Sequence, residues 1–382
     1  MRFKLKYCAF GLLAAVMLSL AAATGAEKIY GSNFAHEHIY GAWWMVGLWA
    51  ALGATAFLYI FRRRLYRRIP TFLLHCAFGL ILAGALITFL TGERGHLHLR
   101  QGETARAFQP EEEQQQQRLQ RALPFDVKLV LFDVEYHAGT SEPADFISFL
   151  KVDEEMCRVS MNKIHRHRGF RFYQLDYDPD EMGSTLLVSH DPWGIGVTYA
   201  GYLLLGLAML WLLWLRMGWR GTGLLLLSVA AVWCYISQIN PMTPVLRTPM
   251  LAAHVSVIMV SYALIVFITA TSIVALCSRR RSERIYRRNA TLLYPALFLL
   301  AAGIFVGAVW ANISWGRYWG WDAKETWALI TLLVYAVPLH RESFAFFRTP
   351  KNFHAYCAAA SLAVLMTFFG VTFLLGGIHS YV

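Results

Sequence analysis

TFLLHCAFGLILAGALITFLTG, residues 71–92, runs for 22 positions without one aspartate, glutamate, lysine or arginine. At about 1.5 Å of rise per residue such a helix spans roughly 33 Å, close to the thickness of a bilayer's hydrocarbon core. The stretch therefore reads as a transmembrane helix, and it is one of a series. Apolar runs recur near 8–24, 43–61, 70–91, 195–215, 222–239, 253–277, 291–311, 326–340 and 354–376. The expected fold class is a polytopic α-helical membrane protein of about nine transmembrane helices, with one small β-rich extracytoplasmic domain between the third and fourth.

Composition agrees. Of 382 residues 57% are hydrophobic and only 15% charged, and the mean hydropathy is +0.42. A soluble domain carries about 25% charged residues. The net charge of +11 is topogenic. With Met1 on the cytoplasmic side, the short inner segments hold 19 Lys/Arg and the short outer ones hold 4, namely Lys28, Arg247, Arg317 and Lys324. That bias orients the chain, with a minor contribution from attraction to anionic lipid, and requires no nucleic-acid partner. Residues 2–26, RFKLKYCAFGLLAAVMLSLAAATGA, also resemble a secretory signal with a small-residue cleavage region. They are read here as a retained first span.

Of the six cysteines, only Cys157 lies outside the expected spans, so an outer disulfide framework is excluded. No C-x-x-C-H is present, so the chain is not itself a c-type cytochrome, and no phosphate-binding glycine loop suggests use of ATP. Residues 92–194 form the one sizeable polar segment, with 18 Asp/Glu against 12 Lys/Arg. PEEEQQQQRLQ (110–120) reads as a loop, while FDVKLVLF (125–132) and RGFRFYQLDY (168–177) alternate as half-buried strands do. DPDEMGS (178–184) reads as the turn that follows.

Depth sorts the thirteen histidines. His36, His38, His96, His98, His137, His165, His167 and His190 fall outside in polar context and read as solvated or locally hydrogen-bonded. His354 receives no role. His75, about seven residues past Arg68, sits roughly 10 Å into the inner leaflet, and His340 ends span eight at the inner boundary. His254 begins span six at the outer boundary, and His379 ends span nine there. An ionisable side chain within a span is a functional hypothesis by default. Two pairs at matching depths, without cysteine or carboxylate partners, suit axial ligation of haem iron better than zinc.

The stretch WGRYWGWDAKETW (315–327) sets five aromatic and four charged side chains in thirteen positions. Asp322, Lys324 and Glu325 would each cost about 2.5–3.5 kcal/mol at mid-membrane, which puts the stretch at the outer interface. An aromatic belt accounts for two or three tryptophans there. It leaves unexplained Trp310, Trp315, Tyr318, Trp319, Trp321 and Trp327 interleaved with Arg317, Asp322, Lys324 and Glu325. Flat rings suit a porphyrin's face, and Arg317 or Lys324 suits its propionates. Asp322 and Glu325 also fit the N-terminus of span eight.

VWANISWGRYWGWDAKETWALITLLVYAVPLH (309–340) resembles the tryptophan-rich "WWD" signature of haem-handling proteins in cytochrome c maturation. PVLRTPMLAAHVSVIMVSYAL (244–264) and GGIHSY (376–381) resemble the CcsA (ResC) branch. Residues 1–200 resemble a compact CcsB (ResB) half, through LLHCAFGLILAGALITFLTG, LPFDVKLVLFDVEYHAGT and FRFYQLDYDPDEMGSTLLVSHDP. Most of the chain is thus similar to a fused CcsBA-type system II cytochrome c synthase. The corresponding divisions are 1–91, 92–194, 195–252 and 253–382, the last carrying the WWD segment at 310–327.

The resemblance implies a holocytochrome c synthase (haem lyase) in the bacterial inner membrane. Such an enzyme moves haem b to the outer face and joins its vinyl groups, with the iron ferrous, to the CXXCH thiols of apocytochrome c. It implies His75 and His340 as a first iron-binding pair and His254 and His379 as a second. The WWD side chains would hold the ring, fixed by Trp315, Trp319, Trp321 and Asp322, and His254, His379 and Asp322 are the implied catalytic residues. A thioredoxin-like reductant for the substrate thiols and a further biogenesis subunit are implied partners. Two other readings share the histidine pairs. One is a haem exporter or chaperone feeding a separate synthase, and the other is a bis-histidine haem b electron-transfer protein that leaves the tryptophan segment without a task.

Overall fold

The computed structural model describes residues 2–111, 120–137, 139, 143–161, 163–238 and 248–375. The chain opens with α1 (Arg2–Tyr30), a short α2 (Ser32–Ala35), α3 (Trp43–Arg62) and α4 (Ile69–Thr91). Eight strands follow: β1 (Glu93–Arg100), β2 (Thr104–Pro110), β3 (Arg121–Tyr136), β4 (Pro143–Val152), β5 (Glu155–Ser160), β6 (His165–His167), β7 (Phe170–Tyr177) and β8 (Gly183–His190). Then come α5 (Gly194–Gln238), α6 (Pro249–Cys277), α7 (Arg279–Trp315), α8 (Ala323–Ala336) and α9 (Pro350–Leu365), the last continuing as a wider π-helical stretch, Met366–Leu375. Most of PEEEQQQQRLQ lies outside the described residues.

Among the described residues, seven helices are long and apolar enough to cross a membrane. They account for eight of the nine expected runs, because α5 serves as two. Its 45 residues would reach about 68 Å as one rod, over twice a hydrocarbon core. Gly218, at φ 67 and ψ 178, breaks it where no helix can continue. The ninth run is α8, whose 14 residues reach only about 21 Å. Pro338, lacking an N–H, ends it in the 3-10 turn Val337–His340.

α6 and α7 pack most intimately, and polar side chains tie them where lipid offers no hydrophobic drive for association. Ser261 donates to the Ala296 carbonyl at 2.8 Å, and Asn289 reaches the Ile268 carbonyl and the Ser272 hydroxyl. His354, buried, sits between the Ser272 hydroxyl and the Ser282 carbonyl, 3.1 Å from each, a structural duty. α4 and α5 approach as closely at Gly84, where a Cβ would lie 2.6 Å from the Thr198 nitrogen. Leu203, Trp214, Leu224, Leu227 and Tyr235 on α5 are exposed, as lipid-facing side chains are.

The strands form one antiparallel sheet in the order β5-β4-β3-β2-β1-β8-β7-β6. Its core comes from alternate residues of successive strands: Leu97 and Leu99, Val127 and Leu129, Leu150 and Val152, Leu186 and Val188. The expected strands at 125–132 and 168–177 are β3 and β7, and the turn after the latter leads into β8. β1 and β8 pair inside the sheet, starting at Glu93 opposite His190. The two chain crossings between sheet and helices therefore lie side by side, which seats the sheet on the ends of α4 and α5.

Candidate functional site

The tryptophan segment is a tied loop between α7 and α8. α7 ends at Trp315, and Gly316 caps it in the left-handed conformation at φ 73. Any Cβ there would stand 2.8 Å from the Tyr173 ring and 2.9 Å from Leu187. The sheet thus rests directly on the segment. Arg94, from β1, donates to the Trp315 carbonyl at 3.2 Å. At the far end, the Asp322 side chain caps α8 by accepting the Lys324 N–H at 2.9 Å. Glu325 reaches back to accept the Gly320 N–H at 2.9 Å. These acids therefore close the loop onto the first turn of α8, with Trp321 held at φ 55 between them.

The capping role can be separated from charge. Asp322→Ala is expected to cost about 1 kcal/mol of stability, whereas Asp322→Asn keeps a capping oxygen and stays near wild type. Thermal unfolding of the detergent-solubilised chain measures the difference. An Asp322→Asn chain as unstable as the Asp322→Ala chain would show that charge, not the cap, holds α8.

The rings are packed from several elements. Trp321 stacks on Tyr40 at 4.9 Å and meets the edge of Trp319 at 5.7 Å. Trp310 and Trp315 meet edge to face at 4.8 Å. The Trp327 indole N–H donates to Thr24 on α1 at 3.1 Å. Tyr318 donates to the Thr88 hydroxyl at 3.0 Å, which donates to Asp191 at 2.7 Å, and Asp191 in turn caps α5 through the Gly194 N–H at 2.8 Å. The indole N–H groups of Trp310 and Trp319, with Asn312 Oδ1, are buried without a hydrogen-bond partner among the described residues. Such orphaned groups are expected where a polar ligand or water belongs.

His36, read from the sequence as solvated, belongs to this assembly. Burial pushes its pKa down, the Arg317 charge pushes it further, and a hydrogen bond to the Gly320 backbone partly opposes both. The ring contacts Tyr40 at 5.5 Å, one stack away from Trp321. Depth alone could have found it, since the connection between the first two spans lies at the same interface as the tryptophans. Arg94, Thr88 and Asp191 carry no such signal, being brought in by the sheet and helix ends. Arg317 lies against Gly320, where a Cβ would come within 3.2 Å of its Nε. Lys324 is half-buried.

Below the loop lies His254, and farther down α4 the pair of His75 and His340. His254 is held on α6 by a 2.7 Å hydrogen bond between Nδ1 and the Gly303 carbonyl. Its ring fills the space over Gly307, where a Cβ would come within 2.6 Å of Nδ1. Gly307 precedes Trp315 by eight residues, about 12 Å along α7. Beside Met250, one turn before His254, an apolar cavity of about 330 Å³ opens between α5, α6 and α7, lined by Tyr202 and Phe305. His379, the expected partner of His254, lies outside the described residues.

His75 and His340 meet. Their ring centroids are 6.1 Å apart at an interplanar angle of 84°. His75 Nδ1 bonds the Thr71 carbonyl at 2.7 Å and His340 Nδ1 the Ala336 carbonyl at 3.1 Å. Each Nδ1 thus carries the proton, and each Nε2 keeps its lone pair for a ligand. Were both Nε2 lone pairs turned to one metal, bonds of about 2 Å would set the ring centroids about 6 Å apart. Phe10 closes one side, edge-on to His340 at 5.3 Å. His75 is sixteen residues before Thr91, so this pair lies about 24 Å down α4 from the sheet.

Residues 62–194 match the ResB-like family and residues 198–379 match the cytochrome C assembly protein family. The chain is a ResB-like domain fused to a cytochrome c assembly domain. The ResB-like part covers α4 and the sheet, and the assembly part covers α5 from residue 198 onward, α6 to α9 and the tryptophan loop. Protein NrfI of Wolinella succinogenes is 38% identical over 167 residues, 38% of this chain and 18% of that protein. Cytochrome c biogenesis protein CcsA of Synechococcus sp. strain CC9311 is 35% identical over 203 residues, 42% of this chain and 66% of the relative. CcsA of Chlamydomonas reinhardtii is 34% identical over 157 residues, 38% of this chain and 44% of the relative. The chain thus spans from under a fifth to just under two thirds of the length of these relatives.

Proposed function

We propose that this fused ResB-like and cytochrome c assembly protein takes haem b at His75 and His340, presents it beneath the tryptophan loop, and attaches it to apocytochrome c. The observation that carries the reading is the meeting of His75 and His340, each with Nδ1 committed to a backbone carbonyl and Nε2 left as a ligand nitrogen. Leu74 and Phe78 of α4 and Leu339 beside His340 pack on one apolar core, which holds the two imidazoles together. The charge bias supports a bacterial inner-membrane orientation in which this pair faces the cytoplasmic side and the sheet and tryptophan loop face outward.

In this reading His254 and His379 are the outer iron ligands, with His254 oriented by the Gly303 carbonyl. Trp310, Trp315, Trp319, Trp321 and Trp327 supply apolar walls, and Arg317 and Lys324 supply cations for the propionates. Each thioether forms by addition of a substrate thiol across a vinyl group. One C–S bond forms, the C=C becomes a single bond, and the thiol proton goes to carbon, with no net oxidation. Both thiols come from the CXXCH segment of the substrate, so an external thioredoxin-like reductant must keep them reduced. The protein's part is position, water exclusion and polar surroundings.

The test is a gel-based haem stain. The chain is expressed with a CXXCH reporter in cells lacking any c-type maturation system. Haem that survives denaturation on the reporter is the expected result. A bare reporter beside a haem-loaded chain would overturn attachment by this chain alone and leave export or electron transfer, or a need for a second subunit.

A further inference from the structure

The sheet carries a second cluster that the haem reading leaves unused. Glu155 on β5 and His165 and His167 on β6 each offer a ligand atom within 4.8 Å of the others. His165 and His167 are two apart on one strand, so they share a face, and their rings stack at 6.2 Å. His165 Nε2 is buried and has no hydrogen-bond partner among the described residues. His167 Nε2 donates to Asp153 Oδ2 at 3.1 Å, which leaves the lone pair on Nδ1. A carboxylate that orients a ligating imidazole through its other nitrogen is the usual outer shell of a metal site. Asp153 is itself set by the tight β4–β5 turn at φ 52 and by Arg168, whose guanidinium lies 3.1 Å away.

The position gives the cluster a purpose. β5 and β6 are the two edges of the eight-stranded order, and the sheet curls until they meet. The short connection between them turns through a backbone bridge from Ser160 to Lys163, and among the described residues no ladder pairs β5 with β6. An open edge is a liability in a sheet, and a cation shared by Glu155, His165 and His167 would close this seam where hydrogen bonding stops.

We propose that Glu155, His165 and His167 bind one divalent cation of the zinc class, held by two imidazoles and a carboxylate, with Asp153 orienting His167. Tetrahedral zinc sets its donors about 3.3 Å apart, so the three donors, now within 4.8 Å of one another, would draw in by about 1.5 Å at most as the cation binds. Two nitrogen donors and one oxygen favour zinc, nickel or copper over calcium or magnesium. The site is independent of the haem ligands, so its success or failure leaves the haem reading untouched.

The test uses the full chain, purified without a polyhistidine tag, depleted of haem and stripped with a chelator. Zinc is added, and bound metal is measured by elemental analysis and by titration calorimetry. Wild type is expected to hold about one equivalent more than His165→Gln or Glu155→Gln, and Asp153→Asn is expected to weaken that binding about 10- to 100-fold. Zinc should also raise the thermal midpoint of wild type and leave that of Glu155→Gln unmoved. Glu155 is exposed, so its substitution spares the fold even if the His165 variant fails to accumulate. Equal zinc uptake and equal midpoint shifts in wild type and Glu155→Gln would overturn the site.

Discussion

Replacing His340 by alanine is expected to leave the purified chain with at most about a tenth of the wild-type haem, and replacing His75 should do the same. The reason is geometric. On the proposed assignment both Nε2 nitrogens would hold one iron, so loss of either would remove half of a unit whose members do not contribute additively. The helices themselves should survive, because among the described residues each ring's hydrogen bond goes to a carbonyl four residues back in the chain and ties no second helix. Absorbance of the purified protein reads the loss. Exogenous imidazole restoring haem to the His340→Ala chain would identify ligation as what was removed. Full haem retention in both single variants and in the double variant would sink the assignment of this pair as ligands.

The second large effect is expected at Gly307, a position with no chemistry of its own. A Cβ there would enter the space held by the His254 ring, within 2.6 Å of Nδ1 and Cε1. Gly307→Val must therefore push the ring away and break its bond to the Gly303 carbonyl. Attachment of haem to a CXXCH reporter should fall by about 100-fold, the cost of misplacing a reacting group by an ångström or so. Haem bound at His75 and His340 should persist, which separates this defect from loss of the fold. Normal attachment by the Gly307→Val chain would show that His254 is not needed in its observed position.

The parts legible in the sequence follow from local physics. The sequence predicts the spans from uncharged apolar runs, because each helix must satisfy its backbone within itself in lipid. It predicts the shared depth of His75 and His340 because helix rise converts residue number into distance. Asp322 and Glu325 are recognisable as helix starters for the same kind of reason, since capping is decided within one turn. The length of α8 is overread, because Pro338 sits inside an apolar run that hydropathy alone extends to His340.

What only the tertiary structure decided is which segments meet. Nothing near His36 or Tyr40 in the chain names Trp321 or Gly320 as a neighbour. Arg94 reaches Trp315 because β1 and β8 pair inside the sheet and set it over α7. Glu155 finds His165 and His167 because the ends of an eight-stranded sheet curl together. Such contacts depend on strand register and helix packing, which sum small preferences over many residues far apart in sequence. The sequence by itself therefore determined the membrane class, the apolar runs that become helices and the charged, tryptophan-rich loop between two of them. Tertiary packing decided that His75 faces His340, that His254 rests on Gly307, and that the tryptophan loop is tied down by two acids and an arginine from the sheet.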